Sequence, residues 1–360
     1  MPHFSRSIPL VALLVLAGLP SPLRAAASIP ATSALIRIEG RTEVDAAGVV
    51  WMGFPAVTLH VAFSGDRLEM QAIGTAADAS FDVGVDGAPP SRVRVPEGAS
   101  RTVLWQGAPG AHQAEVVRRT EAWMGLVGVV SLASSGGFGT APALPERRLL
   151  FIGDSFTCGA STEARDGVPM EAKTLRQNAR LSYGWMLSRL MGAQCHIVGC
   201  GGRGLLRDWQ GMRSARFAGE YYQSALPDDA ASHWDPRRYV PDGIGVCIGT
   251  NDFDEGIPDQ TEFVRAYVAL VNQLRHDAPL AQIFLIDSPI LRDPPGGVPK
   301  HTVLHAYLEQ VVLRVSDPRV RLAPIQTYPI IPGDGHPNGA SHRSVVAELE
   351  PQFRAALGWR

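Results

Sequence analysis

The sequence predicts an α/β chain in which a parallel-sheet domain follows an all-β domain of the sandwich or jelly-roll kind. Three observations carry this expectation. Alternating, turn-punctuated segments run from Ala34 to about Ser134, a Gly-, Ser- and Pro-rich stretch follows as far as Pro145, and short apolar runs then alternate with helical ones. At 360 residues, with 45% hydrophobic and 19% charged positions, the chain is long for one core and too apolar to be disordered, so two domains are expected.

Residues 1–27 read as a signal peptide. His3 and Arg6 precede an apolar run from Ile8 to Leu19, and the small residues Ala25, Ala26 and Ala27 follow. The run is shorter than the roughly 20 residues a spanning helix needs, so the expectation is export, to a secreted or periplasmic location, without a membrane span. No cysteine precedes Cys158, as a lipid-anchored export signal would require.

The β domain is expected over 28–140. Val57, Leu59, Val61 and Phe63 alternate, then Leu68 and Met70, then Phe81, Val83 and Val85 ahead of the turn Asp86-Gly87. Short strands separated by Gly, Pro and Asp, with no helical run, argue for two packed sheets. Ser-Ser-Gly-Gly and Ala-Pro-Ala-Leu-Pro between Ser134 and Pro145 mark the boundary.

The α/β domain is expected over 147–360. Its strands are the runs Leu149 to Ile152, His196 to Val198, Ile244 to Ile248, Ile283 to Ile286 and Val320 to Leu322. One helix between them carries Phe263, Tyr267, Leu270, Val271 and Leu274 on a face, and another carries Leu304, Tyr307, Leu308, Val311, Val312 and Val315. Such alternation implies a parallel sheet covered by helices, with functional groups on loops at the carboxyl ends of its strands.

Charge and cysteines narrow the function classes. A net charge of -2 supplies no footprint for a phosphate backbone, which excludes nucleic acid as an expected partner. Cys158, Cys195, Cys200 and Cys247 lack CxxC spacing, so buried thiols or a single bridge are expected rather than a zinc or redox site. His301 and His305 share a helical face but lack the HExxH glutamate and a third ligand. No metal or cofactor is expected.

Four loops carry candidate chemistry. The first strand of the α/β domain ends in Gly153-Asp154-Ser155, where a serine projects into the cleft. A serine hydroxyl needs an adjacent base, and the carbonyl it attacks needs donors for its oxygen. The second strand ends in Gly199-Cys-Gly-Gly-Arg-Gly204, whose glycines let a backbone N–H approach a ligand, and Gly202 is the chosen oxyanion donor. The same letters fit GxGxxG, but the strand is not the first of its sheet and Asp208-Trp-Gln-Gly interrupts the helix that a dinucleotide site needs. The third strand ends in Gly249-Thr250-Asn251-Asp252, which offers the Asn251 amide as an uncharged donor. Near the C-terminus, Gly333-Asp334-Gly335-His336-Pro337-Asn338 precedes the last helix, which starts around Gly339 or Ala340. His336 can accept the serine proton at neutral pH, with Asp334 holding its ring in the needed tautomer.

In order, these loops resemble the four blocks of the SGNH (GDSL-type) hydrolase superfamily, with Ser155, a glycine of the second block, Asn251 and His336 at the matching positions. The resemblance implies a flavodoxin-like sheet and an acyl-enzyme route. In that route Ser155 attacks an ester carbonyl, and the N–H groups of Ser155 and Gly202 with the Asn251 amide stabilise the oxyanion. A resemblance over nearly the whole chain, through Gly40-Arg-Thr, Phe63-Ser-Gly-Asp-Arg-Leu, Val85-Asp-Gly, Gly153-Asp-Ser-Phe-Thr-Cys-Gly and Gly249-Thr-Asn-Asp-Phe, is to carbohydrate esterase family two. It implies a β jelly roll joined to an SGNH domain, with removal of acetyl groups from polysaccharides such as xylan and glucomannan.

The superfamily's acid usually lies three residues before its histidine, whereas Asp334 lies two before His336. In family two the histidine's partner is an acid or a main-chain carbonyl, and both remain open at this point. Trp209, Trp234 and Phe253 lie near these loops as candidate sugar-stacking residues, although core packing is the commoner fate of such side chains. Two other functions fit the same residues: an SGNH lipase or thioesterase acting on another acyl ester, and a non-catalytic carbohydrate-binding protein.

Overall fold

The computed structural model describes residues 27–164 and 173–360. The signal-peptide expectation lies outside the described residues except for Ala27, which opens the first strand. The N-terminal part is a ten-stranded antiparallel sheet system. Its strands are β1 (Ala27–Pro30), β2 (Ile36–Glu39), β3 (Glu43–Val44), β4 (Val50–Met52), β5 (Thr58–Gly74), β6 (Ser80–Val85), β7 (Ser91–Arg94), β8 (Gly98–Arg118), β9 (Val127–Ser134) and β10 (Gly137–Gly139). Their order is β3-β4-β9-β5-β8-β6-β7, with β1 on β9 and both β2 and β10 on β5.

The alternation read from Leu59 to Met70 lies inside one long strand, β5, rather than in two short ones, and that from Phe81 to Val85 is β6. β5 has 17 residues and β8 has 21. The β5 register breaks at Gly65-Asp66, with Gly65 at φ +116°. A Cβ there would come within 2.3 Å of Ser135 Oγ, so the bend requires glycine. Before the break β5 pairs with β2 and β10, and after it with β9, while β8 accompanies both halves. One strand thereby serves two sets of neighbours, and Val61, Phe63, Leu68 and Met70 all reach the same apolar cluster.

The C-terminal part is a five-stranded parallel sheet made of β11 (Arg147–Gly153), β12 (Ala193–Gly199), β13 (Gly243–Cys247), β14 (Gln282–Ile286) and β15 (Val320–Ala323). Their order is β12-β11-β13-β14-β15. Leu149, Leu150, Phe151 and Ile152 of β11 are all buried, as expected of a strand covered on both faces. The helices are α1 (Lys173–Arg176), α2 (Tyr183–Leu190), α3 (Ala218–Tyr221), α4 (Gln260–Asp277), α5 (Lys300–Val315) and α6 (Gly339–Leu357). α4 packs on α5 and α2 on α6, and the predicted stripe of α4 is buried throughout. Asn338 caps α6 by accepting the N–H groups of Ala340 at 3.0 Å and Ser341 at 3.3 Å, a cap of a kind that contributes about 1 kcal/mol.

The strand order reverses at β11, because the chain passes first to β12 on one side and then to β13 on the other. Such a switch point opens a crevice at the carboxyl end of the central strand, and Ser155 lies two residues beyond β11. The two parts also share a core: one apolar cluster contains Phe54 and Val57 from the first and Tyr221 and Val246 from the second. Gly40 donates its N–H across the junction to His196 Nε2 at 2.9 Å. All four cysteines are buried free thiols, so the single bridge left open by the sequence does not form. No helix among the described residues is long and apolar enough to cross a membrane.

Candidate active site

The turn after β11 is shaped by contacts that only glycine and aspartate satisfy. A Cβ on Gly153 would lie 2.1 Å from Thr157 Oγ1 and 2.5 Å from Cys247 O. Asp154 folds back to accept the Phe156 N–H at 3.0 Å, and burial pushes its carboxyl up to about 6. Ser155, between them, is half-buried and faces a cleft of about 740 Å³.

His336 arrives from the loop before α6. That loop is tied down where the Gly339 N–H reaches Thr162 O at 2.9 Å and the Ile331 N–H reaches His336 O at 2.8 Å. His336 Nε2 lies 2.7 Å from Ser155 Oγ. On the far side of the ring, Nδ1 lies 2.9 Å from Asp334 Oδ1 and 3.1 Å from Asp334 O. Two acceptors at Nδ1 favour its protonated tautomer, which leaves the Nε2 lone pair facing the serine hydroxyl. The acid and the carbonyl that the sequence left as alternatives thus both belong to Asp334.

The Asp334 carboxylate is itself held by two residues for which the sequence offered no signal. Ser161 donates its hydroxyl to Oδ1, and Arg176 Nη1 lies 3.0 Å from Oδ2. Burial alone would raise the Asp334 pKa, but the hydrogen bonds from His336, Ser161 and Arg176 outweigh it and hold the carboxyl at about 2. Burial pulls the His336 imidazole down. The hydrogen bond and charge of Asp334, with the Asp154 carboxylate, more than reverse this, so His336 titrates above the usual histidine value.

Gly202 and Asn251 line the same cleft as Ser155. Gly202 has φ +75°. Among the described residues neither its N–H nor that of Ser155 has a hydrogen-bond acceptor. The Asn251 amide donates to Arg203 O at 3.0 Å and makes a long contact of 3.4 Å to Asp154 Oδ2. The Asp252 side chain braces the second loop by accepting the N–H groups of Leu205 at 2.8 Å, Leu206 at 2.7 Å and Arg207 at 3.2 Å. Glu121, from the β domain, accepts the Gly201 N–H. The sequence reading missed both carboxylates, although the position of Asp252 next to Asn251 was a signal for the first.

The candidate aromatics divide. Trp209 is 52% exposed and lines the cleft. Trp234 and Phe253 do not reach it. Trp234 is buried near the junction between the Arg41 and Arg238 guanidinium groups, 5.0 and 4.6 Å from its ring, and Phe253 packs edge-on to Phe263 with ring centres 5.6 Å apart. Core packing won at both because their elements turn them inward. Trp123 from the β domain, 59% exposed, lines the cleft instead. His305 Nδ1 lies 3.0 Å from Asp287 Oδ2, and no cluster of three or more His, Cys, Asp or Glu among the described residues is arranged to hold a metal ion.

Comparison with known proteins agrees with the two-part architecture. Residues 38–143 match the family Carbohydrate esterase 2 N-terminal, and residues 151–344 match the GDSL-like Lipase/Acylhydrolase family. The chain is 34% identical over 337 residues to an acetylxylan esterase / glucomannan deacetylase of Cellvibrio japonicus (strain Ueda107), with 92% of each protein covered. Among solved structures, a family two carbohydrate esterase from Cellvibrio japonicus superposes with a TM-score of 0.88 at 32% identity, covering 93% of this chain and 99% of that one. A family two carbohydrate esterase from Clostridium thermocellum in complex with cellohexaose superposes with a TM-score of 0.82 at 27% identity, covering 90% and 100%. By sequence and by fold, then, the chain belongs to carbohydrate esterase family two and is a carboxylic ester hydrolase.

Proposed function

We propose that this esterase removes O-acetyl groups from polysaccharides of the xylan or glucomannan type, or from their oligosaccharides, through an acyl-enzyme intermediate. The observation that carries the reading is the 2.7 Å approach of His336 Nε2 to Ser155 Oγ. Ser155 Oγ attacks the acetyl carbonyl carbon while its proton passes to His336 Nε2. The carbonyl oxygen becomes an oxyanion and accepts from the Ser155 and Gly202 N–H groups and from the Asn251 amide. The tetrahedral intermediate collapses, and the imidazolium gives its proton to the departing sugar oxygen. Water then attacks the acetyl-serine with His336 again as base, and acetate leaves. Asp334 stabilises the imidazolium formed in both halves.

The substrate class is supported by the name of the Cellvibrio japonicus relative, an acetylxylan esterase / glucomannan deacetylase. The exposed faces of Trp209 and Trp123 on the cleft wall give sugar rings apolar surfaces to stack on. Export to the periplasm or the medium is part of the proposal and is supported by the charged, apolar and small-residue pattern of residues 1–27.

Asn251→Ala is expected to lower kcat by about 10²- to 10³-fold, the usual effect of deleting one oxyanion donor. An unchanged kcat would remove Asn251 from the hole. The reading as a whole is tested by product analysis on acetylated xylan and acetylated glucomannan, with wild type beside Ser155→Ala, and by acyl-chain profiling with aryl esters. Free acetate from wild type alone, with acetyl preferred over octanoyl, is the expected result. A preference for octanoyl, with no acetate from either polymer, would point to a lipase-like ester hydrolase instead.

A further inference from the structure

The β domain sends a carboxylate into the hydrolase cleft. Glu121 lies three residues beyond β8, is 2% exposed and lines the cleft that Ser155 faces. Its turn is pinned from behind by Arg118, which is fully buried. The Arg118 guanidinium donates to Thr120 O at 2.9 Å, Met52 O at 3.1 Å, Glu121 O at 3.1 Å and Gly125 O at 2.5 Å. A guanidinium so deep in the fold needs such acceptors, and through them it holds residues 120–125 in one conformation.

In front, Glu121 Oε2 accepts the Gly201 N–H. Glycines at 201, 202 and 204 leave this loop little side-chain restraint. Beyond the bonds that Asp252 and Asn251 make to it, its backbone bonds are Cys200 N–H to Gly153 O at 3.1 Å, Arg203 N–H to Cys200 O at 3.3 Å, Gly204 N–H to Arg207 O at 3.0 Å, Trp209 N–H to Gly202 O at 2.9 Å and Ala218 N–H to Gly204 O at 3.2 Å, and among the described residues none of them takes the Gly201 N–H. The fit around the carboxyl is close, since a Cβ on Gly201 would lie 2.7 Å from Oε2 and 3.0 Å from Oε1.

We propose that Glu121 is a positioning residue for the ester hydrolysis: by taking the Gly201 N–H it fixes the glycine loop and leaves the neighbouring Gly202 N–H as the amide presented to the substrate oxygen. The inference rests on the oxyanion role proposed above for Gly202. It makes the β domain part of the catalytic apparatus, beside an apolar core that is continuous across the junction.

The test compares kcat and KM on a small aryl acetate for wild type, Glu121→Gln, Glu121→Ala, Gly201→Ala and the double variant, with thermal unfolding recorded for each. Glu121→Gln keeps an oxygen acceptor and is expected to stay within about fivefold of wild type. Glu121→Ala is expected to lose about 10- to 100-fold in kcat with KM changed less than about threefold, short of the roughly 10²- to 10³-fold of an absent donor. Gly201→Ala pushes the carboxyl aside and should cost as much in kcat, so it reads the same displacement should Glu121→Ala fail to fold. In the Glu121→Ala background the collision is gone, and Gly201→Ala should cost less than about threefold further. Full kcat in folded Glu121→Ala or in Gly201→Ala, or losses that multiply in the double variant, would overturn the role of Glu121. If Ser155→Ala is inactive in the same assay, that failure belongs to Glu121 alone, whereas turnover retained in Ser155→Ala would bring down the underlying reading of the site.

Discussion

Ser155→Ala is expected to reduce kcat on a small aryl acetate by about 10⁵- to 10⁶-fold, the scale at which loss of a nucleophile stops a serine-histidine mechanism. The side chain is half-buried, and the bond its hydroxyl makes is to His336 Nε2. Removing one oxygen there leaves the imidazole facing an open cleft, so thermal stability should change by no more than about 1 kcal/mol. Fluorophosphonate labelling followed by peptide mapping provides a second measurement. The wild type should carry the label on Ser155 and the variant nowhere, and a fully active or still-labelled variant would disprove the assignment. His336→Ala should match it within about tenfold, because the two residues act as one unit and their losses do not add.

The second large effect is at Asp334, where two substitutions separate its two contacts with the ring. Asp334→Ala removes Oδ1 at 2.9 Å but keeps the main-chain oxygen at 3.1 Å, so Nδ1 retains an acceptor and the tautomer survives. A loss of about 10- to 100-fold in kcat is expected, from the missing carboxylate charge beside the imidazolium. Asp334→Asn should be worse, about 10³- to 10⁴-fold. Oδ1 now accepts from His336 and Ser161 while Oδ2 accepts from Arg176, and an amide has one oxygen for these donors. If that oxygen faces the guanidinium, the NH₂ faces Nδ1 and drives the ring proton to Nε2, where it blocks acceptance from serine. Equal, small losses for both variants would make the carbonyl the sole orienting group.

The pH dependence has a defined sign. Neutral His336 is the working base, so kcat/KM falls as pH drops through its pKa, which Asp334 holds above the ordinary value near 6.5. Either substitution removes the hydrogen bond and charge that raise it. The acidic limb of the pH-rate profile should therefore move to lower pH in both variants, and a limb that stays in place would mean that another group controls it.

Legibility in the sequence followed the range of the forces involved. The buried strands β11, β13 and β14 and the stripes of α4 and α5 were readable because burial on both faces, or on one helical face, imposes an apolar pattern on neighbouring residues. The loops bearing Ser155, Gly202 and Asn251 were readable because each sits just past the end of a strand, and the one bearing His336 because it leads into α6. The length of β5 was not legible because a glycine followed by aspartate is written alike in a turn and in a bulge, and the choice fell to Ser135 and Gly136 across the sheet. Trp234 and Phe253 misled because closeness to a loop in sequence does not say which way a side chain points. Ser161, Arg176, Trp123 and Glu121 had no local pattern at all.

From sequence alone came the two-part architecture, the chain order of the four loops and the residue types that suit acyl transfer, since strand and helix periods and glycine turns are properties of a few consecutive residues. Tertiary structure alone decided that Ser155 and His336, 181 positions apart, meet at 2.7 Å. It also decided that Asp334 answers both to a guanidinium and to a hydroxyl, and that a carboxylate from the other domain closes on the glycine loop. The reason is that a hydrogen bond forms between whichever groups the packed layers bring within about 3 Å, and chain separation carries almost no information about that distance.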